Sequence, residues 1–200
     1  MLKVYLASIS LVNDEIVKCL TEEEKAKAYR FKQTDDQKRS ILSSYLLKYA
    51  LKVNNICDTN IIYNEYGKPY LEGNDVYFNI SHSGKYVVCA LSLKEVGVDI
   101  ERIRPKHDLV LQNCFTKEEQ EYVKDDTSFT KVWTLKESYI KYLGTGLKTK
   151  LNSFSVISDN IIKQIDNLVF TSMLVEDYQL SICHYPVKHF NIIHVNHPTQ

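Results

Sequence analysis

The chain has 200 residues, of which 44% are hydrophobic and 25% are charged, and its 25 basic and 25 acidic side chains cancel to a formal charge of zero. This composition is typical of a soluble globular protein with one substantial domain, or with two small halves packed as a unit. No segment reaches the roughly 20 apolar residues of a membrane span, so we expect a soluble, cytoplasmic protein. The balanced charge does not by itself favour a nucleic-acid or membrane partner, and we predict neither.

The cysteines are five in number, widely separated and without a C-x-x-C pair. An odd count of this kind fits free thiols in a reducing compartment better than a disulfide framework or a zinc site. The five are Cys19, Cys57, Cys89, Cys114 and Cys183.

The first elements in chain order are a strand and two helices. A run rich in β-formers over residues 2–10 predicts the strand. The sequence "TEEE" (21–24) has the pattern of a capping box and predicts a helix to about residue 31, and "TDDQ" (34–37) predicts the start of a longer helix in the same way. That longer helix is predicted to bury one face, on which apolar residues recur at helical spacing: Ile41, Leu42, Tyr45, Leu46 and Tyr49.

The rest of the chain has the signals of strands, then helices, then strands again. The first strand-like runs lie at 61–63, 76–80, 86–93 and 96–100, with a turn at "YGKP" (66–69) between the first two. A third capping box, "TKEE" (116–119), predicts a short helix, and a stronger helix is predicted over 129–143, ending before Gly144. The later strand-like runs lie at 154–157, 168–175, 178–184 and 191–195.

Two short segments recur along the chain. "SSYLLKY" (43–49) is similar to "ESYIKY" (137–142), and "KYVVCALS" (85–92) is similar to "DYQLSICH" (177–184), with offsets of 94 and 92 residues. A long helix followed by antiparallel strands, twice over, predicts an internal duplication.

The duplication predicts an α+β fold, organised as a pseudo-dimer of two similar halves. Each half is expected to pack a long helix on a small antiparallel sheet, and we place the halves at 1–103 and 104–200 as one functional unit. The stretch "GVDIERI" (97–103) then ends the first half, where a cleft between the halves would hold the active site.

Asp99 and Glu101 in this stretch stand two apart on a predicted strand, so their side chains share a face. Two like charges in a partly buried place are costly unless they reach solvent, one is protonated, or a cation lies between them. Oxygen ligands without His or Cys favour Mg²⁺. The alternative is a strand end with solvated acids.

The segment "WTLKESYIKYLGTG" (133–146) carries Trp133, Glu137 and Lys141 at helical spacing on one stripe, with Lys136 one step around the helix. An amphipathic helix with an ordinary Glu–Lys pair would explain this pattern. A phosphate-plus-metal site would also need a glutamate for the cation beside lysines for phosphate oxygens.

The segment "FNISHSG" (78–84) places His82 among small hydroxyl residues, where backbone, hydroxyl and imidazole donors could approach an anion. A cluster that stabilises a turn is the alternative. Lys68 and further basic side chains could form a phosphate-binding rim, or could be solvated helix faces: Lys25, Lys27, Lys32, Lys38 and Arg39.

Five motifs in this order closely resemble those of the 4′-phosphopantetheinyl transferases, in particular the Sfp-type branch: "YGKP" (66–69), "FNISHS" (78–83), "GVDIE" (97–101), "FTKEE" (115–119) and "WTLKESYIK" (133–141). The resemblance implies a pseudo-dimer of two α+β halves. It also implies transfer of the phosphopantetheine arm of coenzyme A to a serine of an apo acyl or peptidyl carrier protein, with release of adenosine 3′,5′-bisphosphate.

The resemblance further implies roles for particular residues. Asp99, Glu101 and Glu137 would hold Mg²⁺, or Mn²⁺, against the pyrophosphate of coenzyme A, and Lys141 would neutralise charge on the leaving group, with Lys136 as a second candidate. Ser81 and His82 would contact phosphates, Lys68 would lie near the adenine and its ribose, and Arg39 and Ser40 would lie near the 3′-phosphate. The positions implied in coenzyme A binding are therefore Lys27, Arg39, Ser40, Lys68, Ser81, His82, Asp99, Lys136 and Lys141.

Glu119 matches a glutamate proposed in this family as the base that activates the carrier serine. It is also the last residue of the "TKEE" capping box, and one side chain can hardly serve both purposes. Glu137 or a water on the metal is the competing base.

One departure from the family pattern concerns the first helix, which has Glu24 where a lysine is expected. Lys25 and Lys27 would then have to cover the 3′-phosphate. Two other readings stay open on sequence alone: a different Mg²⁺-dependent phosphoryl or nucleotidyl transferase, and a carrier-binding module without activity. A duplicated chain needs no partner copy to complete its cleft, so we expect a monomer.

Overall fold

The computed structural model describes residues 1–56, 60–73 and 75–197. These ranges contain six α-helices: α1 (Asp14–Lys18), α2 (Glu22–Tyr29), α3 (Thr34–Lys52), α4 (Asp108–Cys114), α5 (Lys117–Tyr122) and α6 (Asp126–Leu143). They also contain eleven strands: β1 (Leu2–Ser8), β2 (Ile61–Tyr63), β3 (Pro69–Leu71), β4 (Tyr77–Ser83), β5 (Tyr86–Ser92), β6 (Val96–Arg102), β7 (Ile157–Ser158), β8 (Ile161–Ile162), β9 (Val169–Val175), β10 (Tyr178–His184) and β11 (Asn191–His194).

Helix starts follow the capping signals at two of the three predicted places. Thr21 and Thr116 each form a complete capping box at the start of α2 and α5. At α3 the predicted helix is confirmed but its capping box is not, because Gln33 is the N-cap residue, without a side-chain hydrogen bond, and Thr34 is already the first helical residue. Two aspartates in the first turn of α3 interact favourably with the helix dipole instead.

Two sheets form the centre of the protein. The first has the order β11-β1-β5-β4 and is antiparallel except for the parallel pair β1–β11. The second is antiparallel with the order β6-β10-β9. Helix α3 packs on the first sheet and α6 packs on the second, and two ribbons, β2–β3 and β7–β8, lie outside the sheets.

The two sheets pack against each other through a shared core. Val4 and Leu6 of β1 belong to the same buried cluster as Val98 and Ile100 of β6. The alternate residues of β1, such as Tyr5, face the core beneath α3 instead. A strand buried on both faces carries apolar residues at nearly every position, and for this reason β1 does not alternate in its sequence.

The predicted duplication is confirmed. Strands β1 and β6 begin 94 residues apart, at Leu2 and Val96, and each precedes a capped short helix, a long helix and an antiparallel hairpin. The hairpin turns correspond as well, because Gly84 and Glu176 both have positive φ angles, of 52° and 53°. The protein is therefore an α+β pseudo-dimer, with a cleft between the halves.

The division of the chain at residue 103 remains a prediction, and the sheets do not follow it strictly. Strand β6 lies before this point but pairs with β10, and β11 lies after it but pairs with β1. Each half thus contributes a strand to the sheet of the other half, which ties the two into one unit.

Several predicted elements change in extent. The run 154–157 was expected to be a strand, but only Ile157 and Ser158 belong to a strand, because the carbonyl oxygen of Phe154 and the amide of Val156 bond to buried side chains instead. The "FNISHS" segment belongs entirely to β4 rather than to a turn. Helices α1 and α4 and strands β3 and β8 were not predicted.

Cys19, Cys89, Cys114 and Cys183 are free thiols, while Cys57 lies outside the described residues. Among the helices of residues 1–56, 60–73 and 75–197, none combines the length and apolar character needed to cross a bilayer.

Candidate active site

Polar side chains of β4 join the two sheets at the cleft. Asn79, Ser81 and Ser83 alternate along β4, and their side-chain oxygens accept hydrogen bonds from alternate backbone amides of β6 at 2.9, 3.4 and 3.2 Å. The edge strands of the two sheets are thus connected by side chains instead of by a backbone ladder. This arrangement explains why Asn79, Ser81 and Ser83 recur at every second position of "NISHS", since alternate residues of a strand share a face.

The same hydroxyls hold the two carboxylates of β6. Ser81 Oγ donates to Asp99 Oδ1 at 2.8 Å, and Ser83 Oγ donates to Glu101 Oε2 at 2.7 Å. Asp99 and Glu101 do share a face, and both line a pocket of about 310 Å³. Glu101 also forms an ion pair with Arg104 at 2.9 Å.

Asp99 is only half satisfied. Its side chain is buried, and Oδ1 accepts from Lys141 Nζ at 2.6 Å as well as from Ser81. Lys141 Nζ also donates to Ser81 Oγ at 2.8 Å. The other oxygen, Oδ2, is buried without a hydrogen-bond partner in the part of the chain that the structure describes. A buried carboxylate oxygen of this kind costs free energy unless a ligand or ion meets it.

Helix α6 supplies the opposite wall of the pocket. Trp133, Glu137 and Lys141 line it together, as their spacing predicted. The helix can lie this close to β6 because of Gly97, where a Cβ atom would overlap with the carbonyl oxygen of Ser138 and the amide nitrogen of the residue at 142. The glycine of "GVDIE" thus sets the distance between the carboxylates and the helix.

Glu137 stands in this pocket without a counter-ion of its own. It is half-buried, and its carboxylate has no hydrogen bond or ion pair with any other residue in the described ranges. Burial, followed by the negative charge of Asp99, raises the pKa of Glu137, while Lys141 opposes this and Glu101 adds to it. The pocket therefore has more negative charge than its lysine balances.

Whether a metal ion fits this pocket depends on how its carboxylates are arranged and on the partners they already have. Within residues 1–56, 60–73 and 75–197, no group of three or more His, Cys, Asp or Glu side chains is arranged to hold a metal ion. Asp99 and Glu101 are engaged with Lys141 and Arg104 respectively. The donor chemistry nevertheless fits a hard divalent cation, because Asp99, which carries the orphaned oxygen, and Glu137, whose carboxylate has no partner, line the same pocket.

Only some of the predicted phosphate-binding residues line this pocket. His82 lines the pocket, and desolvation, followed by the charges of Lys141 and Arg39, lowers its pKa. Arg39 is bonded to the carbonyl of Gly84 at 2.6 Å, beside the β4–β5 turn. Ser40 is half-buried on α3, and Lys27 is exposed in the last turn of α2, outside the pocket.

Lys68 lies in the wall of a second pocket, which opens beside Glu137 and Lys141 and is also lined by Gly144. Its ammonium is buried, forms an ion pair with Glu95 and donates to the carbonyl oxygen of Tyr142 at 2.8 Å. Burial lowers the pKa of Lys68, and Glu95 opposes that shift. The charge of this lysine is therefore used within the protein.

Glu119 and Lys136 are not brought to the cleft. Both side chains are 0% exposed and form an ion pair at 2.6 Å between α5 and α6. Neither lines the pocket around Asp99. Burial lowers the pKa of Lys136, although Glu119 beside it pulls in the opposite direction. The structure thus offers no support for Lys136 as a phosphate ligand or for Glu119 as a base.

The departure at Glu24 has a structural explanation. Glu24 closes the capping box at Thr21 and forms an ion pair with Lys48 of α3 at 2.6 Å. A lysine at this position could do neither.

Several residues of the site were not found from the sequence. Asn79, Ser83, Gly97 and Glu95 hold the site together without a chemical signature of their own. Asn79, Ser81 and Ser83 alternate along one strand just as Asp99 and Glu101 alternate along another, and this pattern could have indicated Asn79 and Ser83.

A third pocket adjoins the first and shares Glu101 and Trp133 with it. Its walls combine apolar side chains, such as Phe129, with the basic residues Arg102 and Arg104. An apolar groove with basic margins therefore leads to the carboxylates from the side of the second half.

Comparisons with known proteins agree with this architecture. Residues 95–186 match the 4′-phosphopantetheinyl transferase superfamily, and residues 12–94 match the family described as 4′-phosphopantetheinyl transferase, N-terminal. The boundary between the two matches precedes β6, in agreement with the place of this strand in the second sheet.

Individual relatives cover most of the chain. The 4′-phosphopantetheinyl transferase gsp of Aneurinibacillus migulanus is 37% identical over 177 residues, which are 80% of this chain and 74% of the relative. A 4′-phosphopantetheinyl transferase of Bacillus subtilis is 31% identical over 188 residues, 85% of this chain and 84% of its own. The transferase Sfp of Bacillus subtilis strain 168 is 34% identical over 154 residues, 72% and 69% of the two chains.

Proposed function

This chain belongs to the 4′-phosphopantetheinyl transferase family, and from that premise we propose that it transfers the 4′-phosphopantetheine arm of coenzyme A to a serine of an apo acyl or peptidyl carrier protein, with Mg²⁺ and with release of adenosine 3′,5′-bisphosphate. One observation carries the proposal. Asp99 with its buried, orphaned carboxylate oxygen, Glu137 with its unpartnered carboxylate, and Lys141 line one pocket between the two halves.

Asp99, Glu101 and Glu137 are the residues that would hold the metal, with Mn²⁺ as a possible substitute for Mg²⁺. When bound, a divalent cation supplies positive charge for the pyrophosphate of coenzyme A and for the charge that develops as its bridging bond breaks. The support for this assignment is the excess of carboxylate in the pocket, which a cation would balance.

Lys141, Ser81 and His82 would bind the phosphates. Lys141 stands beside Asp99 and Ser81, so a phosphate in the pocket would meet its ammonium directly. The serine of the carrier would attack the β-phosphorus in line and lose its hydroxyl proton to Glu137 or to a water, while adenosine 3′,5′-bisphosphate leaves with the electrons of the broken P–O bond. Such a reaction depends on positioning and charge neutralisation more than on covalent catalysis.

The nucleotide end of coenzyme A would extend from this centre. Lys68 forms part of the pocket wall beside Glu137, where its aliphatic stem rather than its engaged ammonium would contact the adenosine. Arg39, Ser40 and Lys27 would contribute to the 3′-phosphate site, on the side of the β4–β5 turn.

The carrier protein would approach through the apolar groove with basic margins. Its serine has to reach the carboxylates, and the groove shares Glu101 and Trp133 with their pocket. The pseudo-dimer supplies both sides of the cleft from one chain, so the proposed active form is a monomer.

The proposal is tested by incubating the protein with fluorescent coenzyme A, Mg²⁺ and a panel of apo carrier proteins. We expect a labelled carrier and an equal amount of adenosine 3′,5′-bisphosphate, measured by gel fluorescence and chromatography. Absence of label on every carrier would overturn the proposal.

Two variants test the residue roles in the same assay. Asp99→Ala should abolish Mg²⁺-dependent transfer while the fold survives, and full activity would contradict the metal assignment. Lys141→Ala should lower kcat by more than it raises the KM for coenzyme A, and an effect on KM alone would contradict a role in neutralising the leaving group.

A further inference from the structure

Glu119 and Lys136 form the most completely satisfied charged pair in the described part of the chain. Glu119 Oε1 accepts from Lys136 Nζ at 2.7 Å and from Val156 N at 2.8 Å, and Oε2 accepts from Lys136 Nζ at 2.6 Å and from Thr116 N at 2.8 Å. Lys136 Nζ also donates to Phe154 O at 2.7 Å. Both charges are therefore paired and hydrogen-bonded, as burial requires.

This arrangement is unsuited to proton abstraction. A general base must lie within about 2.6–3.2 Å of the proton-bearing atom, directly or through one water. Glu119 is 0% exposed, and each of its oxygens already accepts two hydrogen bonds. A carrier serine in the cleft would have no free position on this carboxylate.

The contacts of the pair instead join three segments. Glu119 belongs to α5 and Lys136 to α6. Phe154 and Val156 belong to the segment between α6 and β7, directly before β7. Lys136 directly precedes Glu137, and neighbouring residues on a helix point about 100° apart. Because Lys136 is anchored on the side away from the cleft, Glu137 is turned towards it, and Lys141 follows one turn later.

The first half contains a comparable pair, although it is partly exposed and its lysine stands at a different position along the long helix. Glu24 is the capping-box partner of Thr21 on α2 and pairs with Lys48 of α3, just as Glu119 is the capping-box partner of Thr116 on α5 and pairs with a lysine of α6. In the first half, the strand position that corresponds to Asp99 is Tyr5. A capped glutamate that holds the long helix is thus a feature of the repeated fold.

We propose that Glu119 and Lys136 are positioning residues that fix the rotation of α6 and so aim Glu137 and Lys141 into the cleft, and that Glu119 is not the catalytic base. This inference rests on the proposed function, since it concerns the residues of that same site. It separates the two glutamates that the sequence left as alternatives.

The test compares Lys136→Met with the double variant Lys136→Met/Glu119→Gln, in the carrier-labelling assay with saturating coenzyme A. Lys136→Met keeps the carboxylate of Glu119, and the double variant removes it without leaving a buried charge unpaired. If both residues only position α6, the second substitution changes kcat by less than tenfold. If Glu119 is the base, the second substitution removes about 10²–10⁴-fold of catalysis, and a drop of tenfold or more overturns the proposal.

Two further measurements separate the role of the ion pair from loss of folding and from failure of the proposed function: the Tm of each variant and carrier labelling by the wild-type protein. Glu119→Gln alone leaves Lys136 buried and unpaired, so its Tm should fall by about 10 °C, and Lys136→Met should recover part of that loss in the double variant. A double variant that is no more stable than Glu119→Gln would contradict the pairing, whether or not any carrier is labelled. Wild-type labelling in the same assay reports separately on the proposed function.

A pH profile completes the test. The acid limb of kcat should have the same midpoint in the double variant as in Lys136→Met, because the group that loses a proton is still present. Loss of that limb on substitution of Glu119 would identify Glu119 as the base and overturn the proposal.

Discussion

The hydroxyl of Ser83 donates to Glu101 Oε2 at 2.7 Å and accepts from the backbone amide of Arg102 at 3.2 Å, so that one atom of the first sheet holds both a carboxylate and the backbone of the second sheet. Two residues earlier on both strands, the hydroxyl of Ser81 donates to Asp99 and accepts from the backbone amide of Ile100 in the same way. The carboxylates are thereby fixed by hydrogen bonds across the cleft and not only by their own strand.

Replacing Ser83 by Ala should weaken metal binding while leaving the fold intact. The change removes a hydrogen bond to a charged group, worth about 1.5–3 kcal/mol at most, and part of it should appear as an affinity for Mg²⁺ that is lower by roughly tenfold. Calorimetric titration with Mg²⁺ measures this directly. Ser92→Ala is the matched control, because Ser92 is equally buried and also accepts from a backbone amide, but contacts no carboxylate. Equal Mg²⁺ affinity in both variants would contradict the role of Ser83.

Replacing Gly97 by Ala should separate α6 from β6. A Cβ atom at this position would overlap with backbone atoms of α6, which cannot move aside as a flexible side chain could. Overpacking of this kind costs about 1–3 kcal/mol, and turnover should fall further because Lys141 moves away from Asp99. Thermal denaturation and kcat measure the two effects. Gly73→Ala is a control for turnover only: nothing lies within 4 Å of a Cβ there, but the φ of 65° strains the backbone of any residue other than glycine. A Gly97→Ala variant as stable as the wild-type protein and as active as Gly73→Ala would show that the contact is unimportant.

Replacing Glu137 by Gln should stabilise the metal-free protein at neutral pH. Burial and the neighbouring Asp99 raise the pKa of Glu137, so its ionised form is less favourable in the folded state than in the unfolded state. This penalty is present above the folded pKa and disappears below the ordinary pKa of a glutamate. We therefore expect a higher Tm for the variant at pH 8 in EDTA and no difference near pH 4.

Mg²⁺ should reverse the order of stability, because a ligand that binds the folded state stabilises it. The Tm of the wild-type protein should rise on addition of Mg²⁺, and the Tm of Glu137→Gln should rise less. A wild-type Tm that does not respond to Mg²⁺ would count against the metal site.

Replacing His184 by Gln should reduce the fall in the free energy of unfolding that mild acidification causes. His184 is buried, its Nδ1 donates to the carbonyl of Tyr185 at 2.7 Å, and its Nε2 accepts from Thr171 at 3.1 Å. Burial lowers its pKa, and the bond to Tyr185 opposes this. The unfolded state therefore takes up a proton first as the pH falls through about 6.5, and stability is lost from there down to the folded pKa.

Urea denaturation between pH 7.5 and 5.5 measures this slope. The wild-type free energy of unfolding should fall over this range more steeply than that of His184→Gln, and His194→Gln, at an exposed position on β11, is the control. Parallel slopes for wild type and His184→Gln would contradict the prediction.

Much of the fold could be predicted because its signals are local. Capping boxes at Thr21 and Thr116, the helical spacing of apolar residues in α3 and the offset of the two repeats each depend on neighbours in sequence. The capping box at Thr34 failed because the same four-residue pattern also occurs one residue inside a helix, where the backbone amide it would bond is not free. The strand at 154–157 failed because buried side chains, 18 and 37 residues away, take its backbone groups.

The candidate site divides in the same way. The sequence alone determined which side chains bring chemistry to this protein, since the spacing of Asp99 with Glu101 and of Glu137 with Lys141 predicts shared faces on a strand and a helix. It could not determine which of its charges remain free for a substrate, because that depends on partners distant in the chain. Only the tertiary structure showed that Glu119 and Lys136 neutralise each other in the core, while Asp99 and Glu137 keep unpartnered oxygens in the cleft. The physical reason is burial: a charge removed from water must find its counter-ion wherever the fold brings one, and the fold alone decides where that is.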